Sequence, residues 1–545
     1  TINRNSKLIY NQKYDLYAEK RLENTLIYDT RTDEFGSYLL KMTNPNRLVN
    51  KDRMYISISC IFYEYDPPNQ TQAPHPSQTL APLTQDAFID KEYHNYIPCG
   101  FPAFPPGSQS VVKKITGCKF YDIITPSNFL GGNLGQEIEF SNNLFEFSDS
   151  VMSSTIMWSS LETKFTIDHC TFSKFKFLKK SGEGLILSFN KNLKLTVDTC
   201  TFNNIGQSDE HFMFKMNGFK SDALFRSCTF YNDENNEGSK ISNFITSGVK
   251  FEKCTFTRPA RDMIKIDQDW NSTGTFTFIA NVVEKNKRAF IMIQKLRNAP
   301  VIQNNVFQDI SMVGGYLVTF SSIYNTASTI ELYNNTFQRI ETKTDSAYCG
   351  GASLWFNNIY KNQIKLTIRQ CKFYDITNNN EIDPFNQGGA MHYGYTTSIS
   401  NVIITYRNCE FKRNKCTHGS GGALSLNVQN DITIADCLFE DNQARDKAGA
   451  IYFKSKIVKP ADNPDAPDFD GNINVKLISI TNCQFKGNSA NEGHVIYIEQ
   501  VTSLANTKLS VTDCTFTDNA GYSYMIYTQA SQLDFISNTV EFTDK

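Results

Sequence analysis

The stretch LTVDTCTFNNI, residues 195–205, decides the fold of this chain. Leu195 and Val197 lie two residues apart, which is the spacing of side chains on one face of a β-strand. Cys200 and Phe202 have the same spacing, but an interval of three residues separates Val197 from Cys200. The interrupted alternation predicts a corner between two short strands whose apolar side chains all point inward. The triplet Cys-Thr-Phe also begins at residues 170, 228, 254 and 514, so the corner is repeated.

This corner belongs to a frame that occurs fifteen times between residues 113 and 540. Each frame has Cys or Asn at position zero; thirteen frames have apolar residues at both minus 5 and minus 3, and thirteen carry Phe at plus 2. A further frame, around Cys60, is one residue short. We call the residues at position zero the ladder residues, because stacked frames place them one above another. They are Cys118, Asn143, Cys170, Cys200, Cys228, Cys254, Asn281, Asn305, Asn335, Cys371, Cys409, Cys437, Cys483, Cys514 and Asn538.

The frame predicts a repeat architecture in which each unit of about 28 residues contributes two or three short strands. A second apolar segment precedes most frames and often begins with glycine or alanine-glycine, as in GGALSLN and AGAIYFK. One unit buries too little apolar surface to offset the entropy lost when about 28 residues become ordered. Stacking of successive units supplies the difference, so the sequence predicts a parallel β-helix.

Two short motifs recur in the C-terminal third of the chain. Gly-Gly-Ala plus an apolar residue occurs at 388–391 and 421–424, and Phe-x-x-Asn occurs at 411–414, 439–442, 485–488 and 516–519. This pair resembles the repeats of the chlamydial polymorphic outer-membrane proteins and of similar surface proteins of some protists. More broadly, the frames resemble the right-handed β-helices of the pectin-lyase-like superfamily, in which an internal asparagine ladder commonly stacks at a turn. Cys at ten of the fifteen ladder positions departs from that pattern.

The frames and this resemblance together predict an all-β fold. We expect a single-stranded right-handed parallel β-helix, a solenoid of about 15 coils with an N-terminal cap. Residues 1–52 lack the frame and are expected to form the cap, and residues 53–108 a first coil followed by a proline-rich arm. Residues 109–545 are expected to form the β-helix itself, with an insertion at about 456–473.

Charge and hydropathy limit the partners of this chain. Lys plus Arg number 54 and Asp plus Glu number 56, so no net charge favours nucleic acid or an anionic membrane. No apolar run reaches the roughly 20 residues of a membrane-spanning helix, which predicts no transmembrane segment in these residues. Asn-x-Ser/Thr sequons make Asn69, Asn271 and Asn334 candidate glycosylation sites. These features are compatible with an extracellular or cell-surface location.

The cysteine pattern argues against a metal site and leaves the redox state open. The chain contains no Cys-x-x-Cys, and a ladder produces a row of sulfur atoms rather than a tetrahedron. Stacked ladder cysteines are expected either to remain buried thiols or to form some disulfides between adjacent coils. Four cysteines that are not among the ladder residues are the better disulfide candidates: Cys60, Cys99, Cys349 and Cys416.

No catalytic, cofactor-binding or metal-ligating residue is assigned from the sequence. The best acidic cluster lies in RPARDMIKIDQDW (258–270) and comprises Asp262, Asp267 and Asp269 beside Arg261 and Lys265. The scattered histidines, including His392 and His418, form no triad and no His-Glu-x-x-His motif. The stretch DFDGN (468–472) fails the EF-hand pattern, which needs oxygen ligands at fixed positions of a longer loop.

Two functions therefore remain. The first is a non-enzymatic extracellular or cell-surface protein with a structural or adhesive role, which displays loops and assembles end to end with itself or with protein partners. The alternative is a carbohydrate-active enzyme or a carbohydrate-binding β-helix, since the face of a solenoid offers a long binding surface. Absence of a cluster of three or more acids across adjacent coils would exclude the enzyme. The fold alone decides neither.

Overall fold

The computed structural model is an all-β chain, as expected. It describes residues 2–4, 7–10, 38–40, 87–94, 114–122, 130–131, 136–147, 151–152, 157–159, 163–174, 176–177, 184–189, 193–206, 212–216, 221–233, 241–244, 248–259, 263–267, 274–294, 298–313, 317–324, 329–343, 353–360, 364–381, 387–393, 402–427, 431–455, 476–500, 507–519, 524–528 and 532–542. Within these residues every regular element is a β-strand, and no helix occurs. Residues 62–545 form one compact unit, a parallel β-solenoid.

The first sheet contains the strand that precedes each corner. Its sixteen strands pair in parallel and in chain order. Leu195 pairs with Phe165 in the preceding coil and with Ala223 in the following coil, so residues at minus 5 stack on residues at minus 5. The strands are Ala87–Ile89, Lys114–Thr116, Gln136–Ser141, Thr163–Asp168, Leu193–Asp198, Asp222–Arg226, Val249–Glu252, Phe276–Ile279, Val301–Gln303, Thr329–Tyr333, Ile364–Arg369, Val402–Arg407, Asp431–Ala435, Lys476–Thr481, Thr507–Thr512 and Gln532–Ile536.

The second sheet follows each corner and carries the stacked phenylalanines. The Phe202 ring lies 5.4 Å from the Phe172 ring and 4.8 Å from the Phe230 ring, centroid to centroid, and both pairs are nearly parallel. This is the neighbour relation that the repeated triplet predicts. The strands are Glu92–His94, Lys119–Tyr121, Leu144–Glu146, Thr171–Ser173, Thr201–Asn203, Thr229–Tyr231, Thr255–Thr257, Val282–Glu284, Val306–Val313, Thr336–Lys343, Lys372–Asn379, Glu410–Lys412, Lys415–Cys416, Leu438–Glu440, Gln443–Ala444, Gln484–Lys486, Thr515–Thr517 and Thr539–Glu541.

The third sheet closes the solenoid on its remaining side. It has ten parallel strands: Ser242–Phe244, Ile264–Asp267, Ile291–Gln294, Val318–Tyr324, Leu354–Tyr360, Met391–Tyr393, Leu424–Asn427, Ile451–Ser455, Ile496–Gln500 and Ile526–Thr528. In earlier coils a separate four-stranded sheet takes this side, with strands Leu130–Gly131, Met157–Ser159, Gly184–Phe189 and Phe212–Met216. A two-stranded sheet pairs Val151–Met152 with Lys176–Phe177.

The number of complete turns is smaller than the sequence frames suggest. Ten strands of the third sheet are linked by about nine turns, so the part in which all three sheets are continuous has about nine turns and not fifteen. The fifteen frames count strands of the first sheet, which extends further than the third. The frame thus identifies the first and second sheets. It overestimates the number of coils that also have a strand in the third sheet.

A single left-handed residue makes each predicted corner. The residue at minus 1 has a positive φ in every described coil, for example 49° at Asn334, 50° at Thr199 and 58° at Asn304. This conformation reverses the inward–outward alternation in one step, which explains the interval of three residues between minus 3 and zero. Asn and Asp, which tolerate a positive φ best among residues other than glycine, occur often at this position. A second left-handed residue follows at plus 4 in most coils.

The expected cap and proline-rich arm are described only in part, at residues 2–4, 7–10, 38–40 and 87–94. Residues 1–61 form a separate compact unit in which Ile2–Arg4 pairs antiparallel with Lys7–Tyr10 and with Tyr38–Leu40. The cap stays a prediction, because most of residues 1–52 lie outside the described ranges, as do Cys60 and the insertion at 456–473. Residues 87–94, which were expected to belong to the proline-rich arm, instead form a coil of the solenoid. Lys91 takes the ladder position there, so the frame does not reveal it.

Candidate functional site

Three successive asparagines, Asn281, Asn305 and Asn335, form what we call the amide block. All three side chains are buried. The Asn305 Nδ2 donates to the carbonyl of Phe278 at 2.8 Å and to Asn335 Oδ1 at 2.9 Å. The Asn305 Oδ1 accepts from the backbone N–H of Asn281 at 2.9 Å and from Asn281 Nδ2 at 3.1 Å. Each amide therefore satisfies backbone groups at the corner and also bonds the next amide in the column.

Two uninterrupted series of ladder cysteines, which we call the thiol runs, occupy the same column. The Cys200 Sγ donates to the carbonyls of Ile167 at 3.6 Å and Asp198 at 3.1 Å, and it accepts from the backbone N–H of Cys170 at 3.4 Å. A thiol thus serves the same two neighbours as an amide, through longer and weaker bonds. The first run is Cys170, Cys200, Cys228 and Cys254, and the second is Cys371, Cys409, Cys437, Cys483 and Cys514.

The described cysteines are buried and none is in a disulfide. Burial raises the pKa of the Cys371 thiol to about 12, and it also raises the pKa of Cys118. Cys416, a predicted disulfide candidate, is not in a disulfide and lies in register with Asn378 and Ala444, so no cysteine flanks it in the sheet. Cys60, Cys99 and Cys349 lie outside the described residues, and their pairing stays a prediction.

The sequence reading misses a second amide ladder, at plus 5 of the later coils. The Asn442 Nδ2 donates to the carbonyl of Phe411 at 2.9 Å and to Asn488 Oδ1 at 3.0 Å. The Asn442 Oδ1 accepts from the backbone N–H of Asn414 at 3.0 Å and from its Nδ2 at 2.9 Å. Asn519 ends the series. The Phe-x-x-Asn motif is the sequence signal for this ladder, since its Phe is the residue at plus 2 and its Asn the residue at plus 5.

The Gly-Gly-Ala motif also has a structural cause. Gly421 has a φ of 79°, which other residues adopt only at a cost. A Cβ added to Gly422 would lie 2.1 Å from the carbonyl oxygen of Gly449 in the next coil. The motif therefore allows the backbones of successive coils to approach closely where the third sheet begins. Both motifs of the C-terminal third are thus explained by packing and carry no catalytic group.

The outward residues of the second sheet form the most distinctive surface of the solenoid. From the Cys170 coil to the Asn335 coil, the positions plus 1 and plus 3 form two columns that we call the neutral face. It comprises Thr171, Ser173, Thr201, Asn203, Thr229, Tyr231, Thr255, Thr257, Val282, Glu284, Val306, Gln308, Thr336 and Gln338. Ser173 and Thr257 are buried, and the other twelve are partly or fully exposed. Glu284 is its one charged residue, and this carboxylate accepts hydrogen bonds from Thr257 Oγ1 at 3.1 Å and Gln308 Nε2 at 3.4 Å.

The same two columns are charged in the later coils. Lys412 lies 3.1 Å from Glu410 and 3.5 Å from Glu440, and Lys486 lies 3.0 Å from Glu440. Tyr374 donates its hydroxyl hydrogen to Glu410 at 2.5 Å, and hydrogen bonds from Tyr374 and Lys412 hold the pKa of Glu410 below its usual value despite burial. Charge is therefore not excluded from this sheet by its geometry. Its near-absence over the earlier coils is a property of that segment.

Arginine and aspartate alternate along the second corner. Arg339 makes a two-pronged contact with Asp309, at 2.6 and 3.0 Å, and Arg413 makes the same contact with Asp375, at 2.6 and 2.8 Å. Hydrogen bonds from these arginines lower the pKa of both aspartates. The pairs join consecutive coils along an exposed edge beside the second sheet.

Stacking places no acid beside Asp267 in the next two coils, so the acidic cluster that the sequence suggests at 258–270 is not extended there. Asp267 pairs in register with Gln294, which in turn pairs with Ser321, so the adjacent coils offer no acid at that position. Lys265 pairs with Met292. Arg261, Asp262 and Asp269 lie outside the described residues. Among the described residues, no three His, Cys, Asp or Glu side chains are placed to hold a metal ion.

The two singled-out histidines lie apart and in different settings. His392 is buried on the outer side of the third sheet, between Trp355 and Ser425, and burial lowers its pKa to about 4. His418 lies at the surface, 3.8 Å from Glu381.

Only one predicted sequon can be placed. Asn334 is exposed at a left-handed corner, and its Nδ2 donates to Asn304 Oδ1 at 2.8 Å. Its glycosylation stays a prediction, as does that of Asn69 and Asn271, which lie outside the described residues.

Two adjacent tyrosines of the third sheet are not available as a binding surface. Tyr452 and Tyr497, on the outer side of the third sheet, are buried, and the Lys447 ammonium lies 4.7 Å above the centre of the Tyr497 ring. Exposed large apolar side chains are instead concentrated on the last described strands, at Tyr524, Leu533, Phe535, Ile536, Val540 and Phe542. In the described part of the chain, no helix is long and apolar enough to span a membrane.

Comparisons with known proteins agree with this architecture. A family model described as right handed beta helix region matches residues 165–337, which contain the amide block and nearly all of the neutral face. The chain is also similar to the "Probable autotransporter YfaL" of Escherichia coli (strain K12), with 26% identity over 135 residues, 25% of this chain. The match spans 10% of that protein's length. The expected right-handed β-helix is confirmed, and the narrower likenesses to pectin lyases and to polymorphic membrane proteins stay predictions.

Proposed function

We propose that this protein is a non-enzymatic, extracellular or cell-surface β-helix protein with a structural and adhesive role, and that the neutral face is its adhesive surface. The observation that carries the proposal is the near-absence of charge from two outward columns over seven coils. Depletion of charge is the compositional mark of an interface core, whereas a free surface normally mixes both signs. Similarity to a probable autotransporter supports the surface location.

The dimensions of the neutral face favour a carbohydrate as the partner. Two columns on a short strand make a strip about 10 Å wide, and seven coils at about 4.8 Å each make it about 30 Å long. The strip therefore has an area of about 300 Å². This area is well below the roughly 800 Å² that each partner buries in a stable protein complex. Extended peptides usually add to a sheet edge and not to its flat face. Hydroxyl and amide groups without charge suit a single chain of a neutral polysaccharide.

Sedimentation with insoluble polysaccharides tests this function. We expect the full chain to sediment with a neutral polymer such as cellulose or chitin, while Thr229→Lys/Thr255→Lys loses at least about tenfold in affinity through desolvation of the lysines. Thr433→Lys, an exposed threonine on the first sheet, is the matched control and retains binding. Absence of binding to every neutral polymer, or unchanged binding by the double variant, would refute the neutral face as the adhesive surface. Release of new sugar ends would refute the non-enzymatic role.

Self-association end to end is a further part of this proposal. The exposed apolar residues of the last described strands, Phe535 and Val540 among them, support it, because contact with another molecule would remove their apolar surface from water. Light scattering of the full chain at increasing concentration should show species larger than the monomer, and Phe535→Lys should remove them. Strictly monomeric particles at all concentrations would refute self-association and leave the adhesive surface untouched.

A further inference from the structure

The thiol runs combine two properties that rarely occur together. Their sulfur atoms are shielded from solvent, with the ladder cysteines at most 2% exposed. They also lie on adjacent coils, where each sulfur contacts the preceding cysteine: the backbone N–H of Cys170 donates to Cys200 Sγ at 3.4 Å, and that of Cys409 to Cys437 Sγ at 3.4 Å. Adjacent coils in register place Cα atoms about 4.8 Å apart, which is inside the range that a disulfide spans.

The ladder depends on these sulfurs being thiols. The Cys228 Sγ donates to the carbonyl of Val197 at 3.4 Å, and the Cys254 Sγ to that of Phe225 at 3.5 Å. A disulfide has no S–H, so oxidation of a pair leaves both buried carbonyls without their donor. Disulfide formation also turns the two sulfur atoms toward each other. They then point away from the backbone N–H groups whose hydrogen bonds they accept. An oxidised pair and a closed ladder are therefore incompatible at the same coil.

We propose that the two thiol runs are conformation-gated oxidation sites for small disulfides such as oxidised glutathione. Closed coils exclude the oxidant, and an open coil lets two adjacent ladder thiols join in a disulfide that prevents the ladder from closing again. This inference goes beyond the adhesive function and does not rest on it. It assigns a chemical role to the nine cysteines of the thiol runs, which binding at the outer surface does not use.

The reaction takes place in two exchange steps. In the open coil one ladder thiolate attacks the S–S bond of oxidised glutathione, which forms a mixed disulfide and releases one glutathione thiolate. The thiolate of the adjacent ladder cysteine then attacks the ladder sulfur of that mixed disulfide, which forms the inter-coil S–S bond and releases the second glutathione. Two ladder thiols lose two electrons and two protons, and one oxidised glutathione becomes two reduced ones. Burial slows the first step, because it disfavours the thiolate and blocks access.

The chain contains its own controls. Cys118 is a buried ladder cysteine whose neighbour in the next coil is Asn143, and Asn143 Oδ1 accepts from the Cys118 N–H at 2.9 Å. Its neighbour on the other side is Lys91. Cys416 is buried in a different column, between Asn378 and Ala444. Both thiols should be shielded from the oxidant, as the thiol runs are. Neither has an adjacent ladder thiol, so the reaction at each should stop at the mixed disulfide with glutathione.

The experiment uses the full chain with Cys60, Cys99 and Cys349 replaced by Ser, exposed to oxidised glutathione in native buffer and in urea below the unfolding transition. Alkylation and peptide mass mapping then locate every modification. We expect oxidation of the runs to be at least about tenfold slower in native buffer. In urea, neighbours such as Cys200 and Cys228 should form disulfides, while Cys118 and Cys416 carry glutathione. The oxidised chain should fail to refold until a reductant is added.

A variant confines the effect to one run. Cys200→Ser/Cys254→Ser leaves Cys170 and Cys228 two coils apart, about 9.6 Å between Cα atoms, which is too far to bridge. It should therefore show only glutathione adducts in the first run, while the second run of the same molecule still forms disulfides. Equal oxidation rates in native buffer and urea would overturn the proposal. So would disulfides to Cys118 as frequent as those between neighbours, or full refolding of the oxidised chain. If the variant does not fold, the chain with both thiol runs intact tests the proposal by the same criteria.

Discussion

The amide block and the first thiol run occupy one column of the solenoid and solve one problem with different chemistry. In both, a buried side chain donates to a carbonyl of the preceding coil and accepts from the N–H of the preceding ladder residue, as Asn305 and Cys200 do. The corner therefore selects a short side chain that can donate and accept, and not a particular residue. This explains why Cys and Asn replace each other in an otherwise constant frame.

The two regions differ in whether the ladder side chains bond one another along the column. The Asn305 side chain makes hydrogen bonds to the side chains of Asn281 at 3.1 Å and Asn335 at 2.9 Å. The Cys200 sulfur bonds backbone groups, at 3.1 to 3.6 Å. Amide bonds that continue along a column reinforce one another, and sulfur is a weak donor and acceptor. The amide block should therefore contribute more to stability per coil, and the thiol run should carry the chemical reactivity.

The largest effect is expected from Asn305→Ala. The substitution leaves the carbonyl of Phe278 and the N–H of Asn281 buried without partners, so we expect a loss of about 4 kcal/mol in the free energy of unfolding. Urea denaturation followed by fluorescence measures it. Asn304→Ala, at the exposed corner one residue earlier, is the control and should cost about 1 kcal/mol or less. A loss at Asn305 no greater than at Asn304 would break the comparison.

The second amide ladder should give the next largest effect. Asn442→Ile removes the acceptor of the Asn414 N–H and the donor to Phe411, and we expect a loss of about 3 kcal/mol. Isoleucine itself is compatible with this position, since Ile340 occupies it in an earlier coil and is buried there. Ile340→Val, which should cost about 1 kcal/mol, controls for packing. Equal losses for the two variants would show that the position serves packing only.

In the thiol run, Cys200→Ala should cost about 2 kcal/mol, because the lost sulfur bonds are weak and the cavity is small. Calorimetric or urea unfolding in the presence of a reductant gives the value. A loss equal to that of Asn305→Ala would mean that the thiols hold the coils as firmly as the amides do.

The smallest effect is expected from the ion pairs that flank both regions, and it serves as a baseline. Arginine neighbours lower the pKa of Asp198 beside the thiol run and of Asp309 beside the amide block. Because the folded-state pKa is depressed, the stabilisation is present above the unfolded pKa of about 3.9 and is lost as pH falls through the lower folded value. Asp309→Asn should cost less than about 1 kcal/mol at neutral pH, since Arg339 and Asp309 are half exposed. The variant should also show a shallower loss of stability below about pH 4 in acid titrations; an unchanged acid profile would contradict the pairing.

Much of the interior could be predicted from the residues alone. The spacing of Leu195, Val197, Cys200 and Phe202 indicates which side chains are inward, because period two is a direct consequence of strand geometry. The coil at residues 87–94 was missed because Lys91 and Tyr93 replace the usual ladder residue and phenylalanine. The frame does not predict the second ladder, because the Asn of Phe-x-x-Asn lies three residues beyond the last position of the frame.

The outer surface could be predicted less well, for a physical reason. Outward residues such as Thr201 and Thr229 tolerate almost any side chain as far as folding is concerned, so no period or spacing marks them as functional. These residues can be recognised as one surface only from the register, which pairs Thr201 with Thr229 in the next coil. The same holds for Asp267, because only the register shows that stacking places Gln294 beside it in the next coil.

The central claim is that thiol and amide perform the same structural task at the ladder, and Asn305→Cys tests it most directly. The thiol of the variant can donate to the carbonyl of Phe278 and accept from the N–H of Asn281, as Cys200 does with its own neighbours. Compared by urea denaturation under reducing conditions, Asn305→Cys should recover about half of the stability lost in Asn305→Ala, about 2 kcal/mol. A cysteine variant no more stable than the alanine variant would contradict the claim.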